Sequence, residues 1–378
     1  MKQKDKSKRE FNNSQTPSPL RDAGSAKAED KRAAFTLSSF LRPNIASLKP
    51  YSSARDEFSG ADALFFDANE NPFNAPYNRY PDPYQQELKK KIGDLKGVNP
   101  KNIFLGNGSD EAIDLLFRAF CIPGKDNVVS IDPTYGMYQV CADINDVEVK
   151  RVLLTPDFEL DADALLNAVN ENTKMIFICS PNNPTANCFV EQEIVRVIDG
   201  FNGIVVVDEA YIDFAPDKSL LKKPVNYPNL VILQTFSKAW GVAAIRLGMA
   251  FATEEIISVL SKIKYPYNVN ILTQQKALEL LENEEQKQKW VDTILKEKRR
   301  LTVAFEKNPL IKKIYPSDAN FLLVKVEKPV DVYNFMVDRK LIIRDRSKVA
   351  LCEGCLRITV GTAEENNRLI EALKSSPL

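Results

Sequence analysis

Histidine is absent from all 378 residues of this chain. Its absence excludes the Ser-His-Asp and Cys-His relays, together with every metal site that needs a histidine ligand. Acid–base chemistry must therefore fall to lysine, tyrosine or carboxylate side chains. Net charge is also absent, since 51 Lys and Arg balance 51 Asp and Glu. No overall field draws the chain to nucleic acid or to an anionic membrane, so any anion must be bound locally.

Long apolar runs are missing as well. No stretch is long enough to span a bilayer, and the first residues lack the apolar core of a signal peptide. We therefore expect a cytoplasmic protein with reduced thiols. Cys352 and Cys355 form a C-x-x-C pair, but no second pair or histidine completes a zinc site. Because strand-like residues follow, a structural role is favoured over a redox role, and no metal is expected.

The pattern of the chain predicts four segments. Residues 1–38 are polar and lack hydrophobic periodicity, so we expect a flexible extension; its acidic residues disfavour a mitochondrial transit peptide. Residues 39–72 are expected to form an arm that contributes to a small domain. Residues 73–270 are expected to form a large domain, and residues 271–378 a small α+β C-terminal domain with long charged helices.

Within residues 73–270, short apolar runs alternate with helical patterns. This alternation predicts an α/β fold with a mostly parallel central sheet covered by helices. Ligands of such sheets bind beyond the carboxyl ends of the strands. The runs that read as buried strands are Val128–Ile131, Met175–Cys179, Ile204–Val207 and Leu230–Leu233.

The segment Thr235–Gly241 carries the clearest chemical signal. Lys238 supplies an amine that can condense with an aldehyde, while Ser237 and Arg246 can bind a phosphate. Asp208, which directly follows a predicted strand, can pair with a protonated ring nitrogen. These groups are typical of a pyridoxal-phosphate site. Taken alone, the segment fits an ordinary helix start equally well, with Ser237 as the cap.

Other polar residues extend this interpretation. The turn Gly106–Glu111 leads into a helical pattern and could bind a phosphate at a helix N-terminus, although a simple cap is the commoner outcome. Asn183 and Tyr211 could hydrogen-bond a phenolic oxygen of the cofactor. Tyr135 could stack on its ring, unless it is an ordinary core tyrosine. Arg357 interrupts an apolar strand pattern, so it is expected to have an anionic partner.

In order along the chain, these landmarks resemble the fold-type I pyridoxal-phosphate enzymes of the aspartate-aminotransferase group. The resemblance runs from about Arg42 to Leu373 and is closest to the histidinol-phosphate aminotransferase family within that group. The motifs that carry it include Asp67-Ala68-Asn69-Glu70-Asn71-Pro72, Pro133-Thr134-Tyr135-Gly136-Met137-Tyr138, Asp208-Glu209-Ala210-Tyr211 and Leu356-Arg357-Ile358-Thr359. Two departures are Ala186, where the family usually has glycine, and Ala243-Ala244, where Ala-Gly is more usual.

The resemblance implies pyridoxal 5'-phosphate as the cofactor and assigns its contacts. Lys238 would be the Schiff-base lysine and proton shuttle, and Asp208 the partner of the ring nitrogen. Asn183 and Tyr211 would contact the phenolic oxygen. The residues implied around the cofactor phosphate are Ser109, Asp110, Ser237 and Arg246.

The resemblance also implies a homodimer and a substrate pocket. Tyr80 would reach the cofactor phosphate of the partner subunit. The residues implied to line the substrate pocket are Tyr51, Tyr267, Arg344 and Arg357, with the arginines binding the substrate's phosphate.

The implied reaction converts L-histidinol phosphate and 2-oxoglutarate into imidazole-acetol phosphate and glutamate, a step of histidine biosynthesis. Three alternatives remain open at this stage. A similar scaffold could decarboxylate threonine phosphate or transaminate aromatic amino acids. A binding module without turnover is disfavoured, because such a module has no use for the whole proton-transfer set.

Overall fold

Seven strands form the larger of two sheets in the computed structural model, which describes residues 35–50, 64–221, 223 and 226–376. The strands are β1 (Ile103–Asn107), β2 (Asn127–Asp132), β3 (Glu148–Leu153), β4 (Thr173–Cys179), β5 (Ile204–Asp208), β6 (Leu230–Thr235) and β7 (Leu247–Phe251). Their order across the sheet is β1-β7-β6-β5-β4-β2-β3. All neighbours pair in parallel except β7, which is antiparallel to both β1 and β6.

Helices cover both faces of this sheet because its central strands are apolar on both sides. In β4, Ile176 and Ile178 point into one core, and Met175 and Phe177 point into the other. The helices are α1 (Pro43–Ala46), α2 (Gln86–Lys96), α3 (Ser109–Phe120), α4 (Met137–Ile144), α5 (Ala162–Asn167), α6 (Glu191–Gly200) and α7 (Glu254–Ile263). Helices α2, α5 and α6 pack on the first face, and α3, α4 and α7 on the second.

A second sheet follows along the chain. It is antiparallel, with the order β10-β11-β9-β8. Its strands are β8 (Ile311–Ile314), β9 (Phe321–Val326), β10 (Arg344–Asp345) and β11 (Cys355–Thr359). The helices of this part are α8 (Ile271–Leu281), α9 (Glu284–Glu306), α10 (Pro329–Asp338) and α11 (Ala363–Lys374). Residues of α9, α10 and α11 form one apolar core with β9 and β11.

The predicted fold class is confirmed: a mostly parallel sheet covered by helices is accompanied by a smaller sheet. All four predicted strand runs lie within β2, β4, β5 and β6. The domain boundaries stay predictions. The expected extension, as far as residue 34, and Tyr51 lie outside the described residues.

The C-x-x-C pair lies in the interior. Cys352 and Cys355 are both fully buried, and Cys355 is the first residue of β11. Burial inside a packed core is what a structural role requires. In the part of the chain that the structure describes, no helix has the length and apolarity needed to cross a membrane.

Candidate active site

One edge of the large sheet collects the ends of its parallel strands. There β1 ends at Asn107, β4 at Cys179, β5 at Asp208 and β6 at Thr235. Because β7 runs in the opposite direction, its first residue follows Arg246 at this same edge. Parallel topology, with one reversed strand, thus brings together polar residues that are far apart in sequence.

A cavity opens at this edge. Its volume, including solvent at the mouth, is about 580 Å³. The structure therefore brings most of the predicted cofactor residues to one place. Those that line the cavity are Ser109, Asp110, Tyr135, Asp208, Tyr211, Ser237, Lys238 and Arg246.

The start of α3 forms one wall of the cavity, and its geometry depends on glycine. Gly108 has a φ of +74°, and a Cβ there would lie 2.7 Å from the guanidinium of Arg246. No side chain caps the first turn of the helix. The backbone N–H groups of Ser109 and Asp110 are therefore available to an anion at the positive end of the helix dipole.

Arg246 lies between this helix start and Ser237. Its Nη1 is 3.5 Å from Ser237 Oγ, and its Nη2 is 3.5 Å from a carboxylate oxygen of Asp110. The other carboxylate oxygen of Asp110 accepts a hydrogen bond of 3.2 Å from the Tyr135 hydroxyl. Asp110 can therefore meet an anion with its backbone N–H but not with its side chain. The helix start, Ser237 and Arg246 together form a cradle suited to a phosphate.

Asp208, which also lines the cavity, is a buried carboxylate with only 2% of its surface exposed. It accepts hydrogen bonds from the Tyr138 hydroxyl at 2.7 Å and from the backbone N–H of Ala210 at 3.0 Å. Burial raises the pKa of Asp208 from 3.8 to about 6, although these hydrogen bonds oppose the shift. A cationic partner in the cavity would restore its ionised form.

Tyr138 was not among the predicted site residues. It is fully buried on α4 and packs edge-on against Tyr135, with ring centroids 5.7 Å apart. Its hydroxyl fixes the orientation of Asp208. The available signal was its place three residues after Tyr135, in the same motif Pro133–Tyr138.

Lys238 is half-buried, and its amine lies 5.3 Å from the centre of the Tyr211 ring. Burial lowers the pKa of Lys238, and the positive charge of Arg357 lowers it further. A lowered pKa increases the fraction of neutral amine, which is the form that attacks an aldehyde. The environment of Lys238 therefore suits the chemistry predicted for it.

Arg357 connects the small sheet to the large one. It is half-buried on β11, and its Nη1 donates a hydrogen bond to Oδ1 of Asn183, in the turn after β4. The guanidinium also lies 5.3 Å from the ring of Phe321. Among the described residues, the partner of Arg357 is thus the neutral amide of Asn183 rather than the expected anion. Because the amide oxygen accepts this hydrogen bond, the Nδ2 group of Asn183 can still donate one.

The two remaining arginines of this region differ. Arg344 lies directly opposite Arg357 in the pairing of β10 with β11, and it is exposed. Arg346, which the sequence interpretation did not select, is half-buried. Its Nε is buried without a hydrogen-bond partner in the described chain. The missed signal was the two-residue spacing, which places Arg346 on the same strand face as Arg344.

Tyr80 and Tyr267 stack on each other within one chain. Their ring centroids are 4.4 Å apart and their planes differ by 13°. The next residue, Asn268, donates to Glu111 at 3.1 Å, which holds this segment beside the start of α3. Neither tyrosine is among the residues that line the cavity. Their predicted roles toward a partner subunit and a substrate stay predictions, as does that of Tyr51.

Both departures from the resembled family occur where the backbone is constrained. Ala186 is fully buried and has a φ of +73°, a region that glycine adopts more easily than alanine. The turn is closed by a hydrogen bond from its N–H to the carbonyl of Asn182, at 2.8 Å. The second departure, Ala243-Ala244, lies in a short turn of 3₁₀ helix, Ala243–Ile245, that ends at Arg246, whose φ is +52°. Neither substitution changes a predicted site residue.

Comparison with known proteins identifies the family that this chain resembles. Residues 68–373 match the model for "Aminotransferase class I and II". The chain is 59% identical over 340 residues to a histidinol-phosphate aminotransferase of Bacteroides fragilis, and the alignment covers 90% of this chain and 99% of that protein.

Solved structures share the fold. The histidinol-phosphate aminotransferase of Sinorhizobium meliloti, solved in complex with pyridoxal-5'-phosphate, has a TM-score of 0.72 at 24% identity, covering 82% of this chain and 90% of that one. The L-threonine-O-3-phosphate decarboxylase of Porphyromonas gingivalis has a TM-score of 0.65 at 22% identity, covering 79% and 90%. At these identities the likeness shows the fold alone.

Proposed function

This chain belongs to the class I and II aminotransferase family, and we propose that it transfers the amino group of L-histidinol phosphate to 2-oxoglutarate with pyridoxal 5'-phosphate as cofactor. One observation carries the proposal: Lys238, Asp208 and the phosphate cradle line a single cavity. The 59% identity to a histidinol-phosphate aminotransferase over 90% of the chain supports the choice of substrate.

Pyridoxal phosphate fits the chemistry of the cavity group by group. Its phosphate suits the start of α3 with Ser237 and Arg246, and its ring nitrogen suits the buried carboxylate of Asp208. Its aldehyde suits the amine of Lys238. When bound, the cofactor supplies an electron sink that stabilises negative charge on the reacting carbon of the substrate.

The protein's side chains supply the remaining steps. Lys238, as a neutral amine, would hold the aldehyde of the cofactor and, once freed by the substrate amine, would carry the proton away from the reacting carbon of the substrate. Burial raises the pKa of Tyr211, so its phenol stays protonated and can donate a hydrogen bond. Tyr138 holds Asp208 in place at 2.7 Å. Arg357 binds the anionic group of the substrate and thereby orients the carbon that loses the proton.

A substrate panel tests this function. Histidinol phosphate with 2-oxoglutarate should yield glutamate, whereas threonine phosphate should release little carbon dioxide. Carbon dioxide from threonine phosphate in the absence of 2-oxoglutarate would instead assign the chain to the decarboxylases. Equal rates with phenylalanine would make it a broad aromatic aminotransferase.

The buried charge of Asp208 should appear as a pH-dependent stability difference in the cofactor-free protein. Because folding raises the pKa of Asp208, ionisation of this carboxylate destabilises the folded state as the pH rises from about 4 through about 6. Asp208→Asn should therefore be more stable than wild type at pH 8, by about 1–3 kcal/mol, with no such gain below pH 4.

Chemical denaturation at several pH values measures this difference. Added pyridoxal phosphate should stabilise the wild type more than the Asn variant at pH 8, since only a carboxylate can pair with a ring cation. An equal difference at pH 4 and pH 8 would contradict the assigned environment of Asp208.

We further propose that the active unit is a homodimer in which Tyr80 reaches the cofactor phosphate of the partner subunit. Several aromatic side chains near Tyr80 in sequence are exposed in the single chain, with exposed fractions of 92% for Phe66, 76% for Phe73 and 59% for Tyr77. Large exposed apolar side chains in one segment favour a protein interface.

Subunit mixing tests the shared site. Lys238→Ala and Tyr80→Phe chains should each be nearly inactive alone, and a mixture of the two should regain activity. Each mixed dimer can assemble one intact site, up to about a quarter of the wild-type value for random pairing when every intact site works independently. The Lys238→Ala chain mixed with an Asp208→Asn chain is the control and should stay inactive, because Lys238 and Asp208 line the cavity of one chain and every site of the mixed dimer then carries one defect. A fully active monomer in sedimentation would refute the proposal.

A further inference from the structure

Three arginines share one face of the small sheet. The pairing of β10 with β11 places Arg344 opposite Arg357. The ladder continues past β10, since the N–H of Arg346 donates to the carbonyl of Cys355 at 2.9 Å. Side chains two residues apart on a strand point to the same side. Arg344, Arg346 and Arg357 therefore face the same way.

Their positive charges influence one another. Burial lowers the pKa of Arg357, and Arg346 lowers it further; burial lowers the pKa of Arg346, and Arg344 lowers it further. The nearest carboxylate in sequence, Asp345, accepts hydrogen bonds from the backbone N–H of Ser347 at 2.8 Å and from its hydroxyl. Within the described residues, no ion pair to a carboxylate neutralises Arg346 or Arg357.

Arg346 lies near the cavity as well as near Arg357. Its charge lowers the pKa of Tyr211, a residue that lines the cavity, as does the charge of Arg357. The buried Nε of Arg346 has no hydrogen-bond partner in the described chain. A buried donor without a partner is destabilising, and an anion that enters the site can remove this cost.

We infer that Arg346 is a third substrate-binding arginine, which selects a phosphate dianion over a carboxylate. One guanidinium matches the two oxygens and single charge of a carboxylate, whereas a phosphate offers a third oxygen and a second charge. Arg357 serves both amino-group donors, histidinol phosphate and glutamate. Arg346 acts on the phosphorylated donor. The inference rests on the proposed function for the identity of that donor.

Arg346→Gln tests the inference on the holoenzyme. The variant should lose about 30-fold in kcat/KM for histidinol phosphate, the lower end of the effect of truncating a buried charge partner. For glutamate in the reverse half-reaction the loss should be less than threefold. Lys348→Gln is the matched control, because it removes the same charge from an exposed residue of the same loop. It should change neither value by more than twofold.

Arg346→Lys separates binding from folding. Lysine keeps the positive charge but lacks the planar guanidinium with its paired N–H donors. The Arg346→Lys variant should therefore recover part of the activity toward histidinol phosphate. An equal loss with both donors, or no loss with either, would overturn the inference.

Inorganic phosphate gives a second measurement that does not depend on turnover of histidinol phosphate. As a competitive inhibitor of the glutamate half-reaction, it should bind wild type about tenfold more tightly than Arg346→Gln. If wild type does not turn over histidinol phosphate, the proposed function fails, and the phosphate titration still decides the role of Arg346. Equal inhibition constants would show that Arg346 does not bind the anion.

Discussion

Lys238→Ala should abolish turnover, with a loss of at least about 10⁴-fold, because both covalent catalysis and proton transfer depend on this amine. The lowered pKa of Lys238 increases the fraction of neutral, nucleophilic amine, and a water molecule could not replace the covalent bond that this amine would form with the cofactor. The visible absorbance of the lysine-bound cofactor should disappear. Borohydride should no longer attach the cofactor to the chain.

Two controls sharpen this result. The Lys238→Ala chain should still hold pyridoxal phosphate through Ser237, Arg246 and the start of α3, so cofactor should remain after gel filtration. Lys238→Arg keeps a positive charge but should be equally inactive, since a guanidinium stays protonated. Retained transamination in either variant would refute the assignment of Lys238.

Arg357→Ala should lower kcat/KM for histidinol phosphate by about thirty- to several-thousand-fold, which corresponds to a loss of roughly 2–5 kcal/mol. Arg357 is half-buried and already oriented by its hydrogen bond to Asn183 and its contact with Phe321. Such a side chain loses little conformational entropy when the substrate binds. Most of the free energy of its charge-assisted interaction therefore contributes to kcat/KM.

Unphosphorylated histidinol is the matched comparison for Arg357→Ala. Its reaction should change far less, because it lacks the anion that the arginine binds. Asn183→Ala separates positioning from binding, since it removes the orienting amide and keeps the guanidinium. A similar loss with histidinol and histidinol phosphate would show that Arg357 acts on the folded structure rather than on the phosphate.

The sequence predicts well which of these residues meet in one cavity, because the signals are local. Asp208 and Lys238 each follow a short apolar run, and the ends of parallel strands meet at one edge of a sheet. Gly108 and Ser109 mark a helix start in the same way. For these residues, a correct prediction of where the strands and helix begin and end also predicts which side chains line the cavity.

Contacts between distant segments were harder to foresee. The hydrogen bond from Tyr138 to Asp208 joins residues 70 positions apart, and an aromatic residue on an apolar helix face is more often an ordinary core residue. Arg346 became a candidate only once the register of β10 with β11 was known. The antiparallel β7 was also missed, because its short run, Leu247–Phe251, says nothing about strand direction.

A single half-reaction tests the central claim most directly. Purified holoenzyme is mixed with excess histidinol phosphate in the absence of 2-oxoglutarate, and the ketone product and carbon dioxide are counted per subunit. We expect one equivalent of imidazole-acetol phosphate per subunit and no carbon dioxide. After the unreacted histidinol phosphate is removed by gel filtration, added 2-oxoglutarate should yield one equivalent of glutamate per subunit. Release of carbon dioxide, or no ketone from a cofactor-loaded enzyme, would contradict the proposed function.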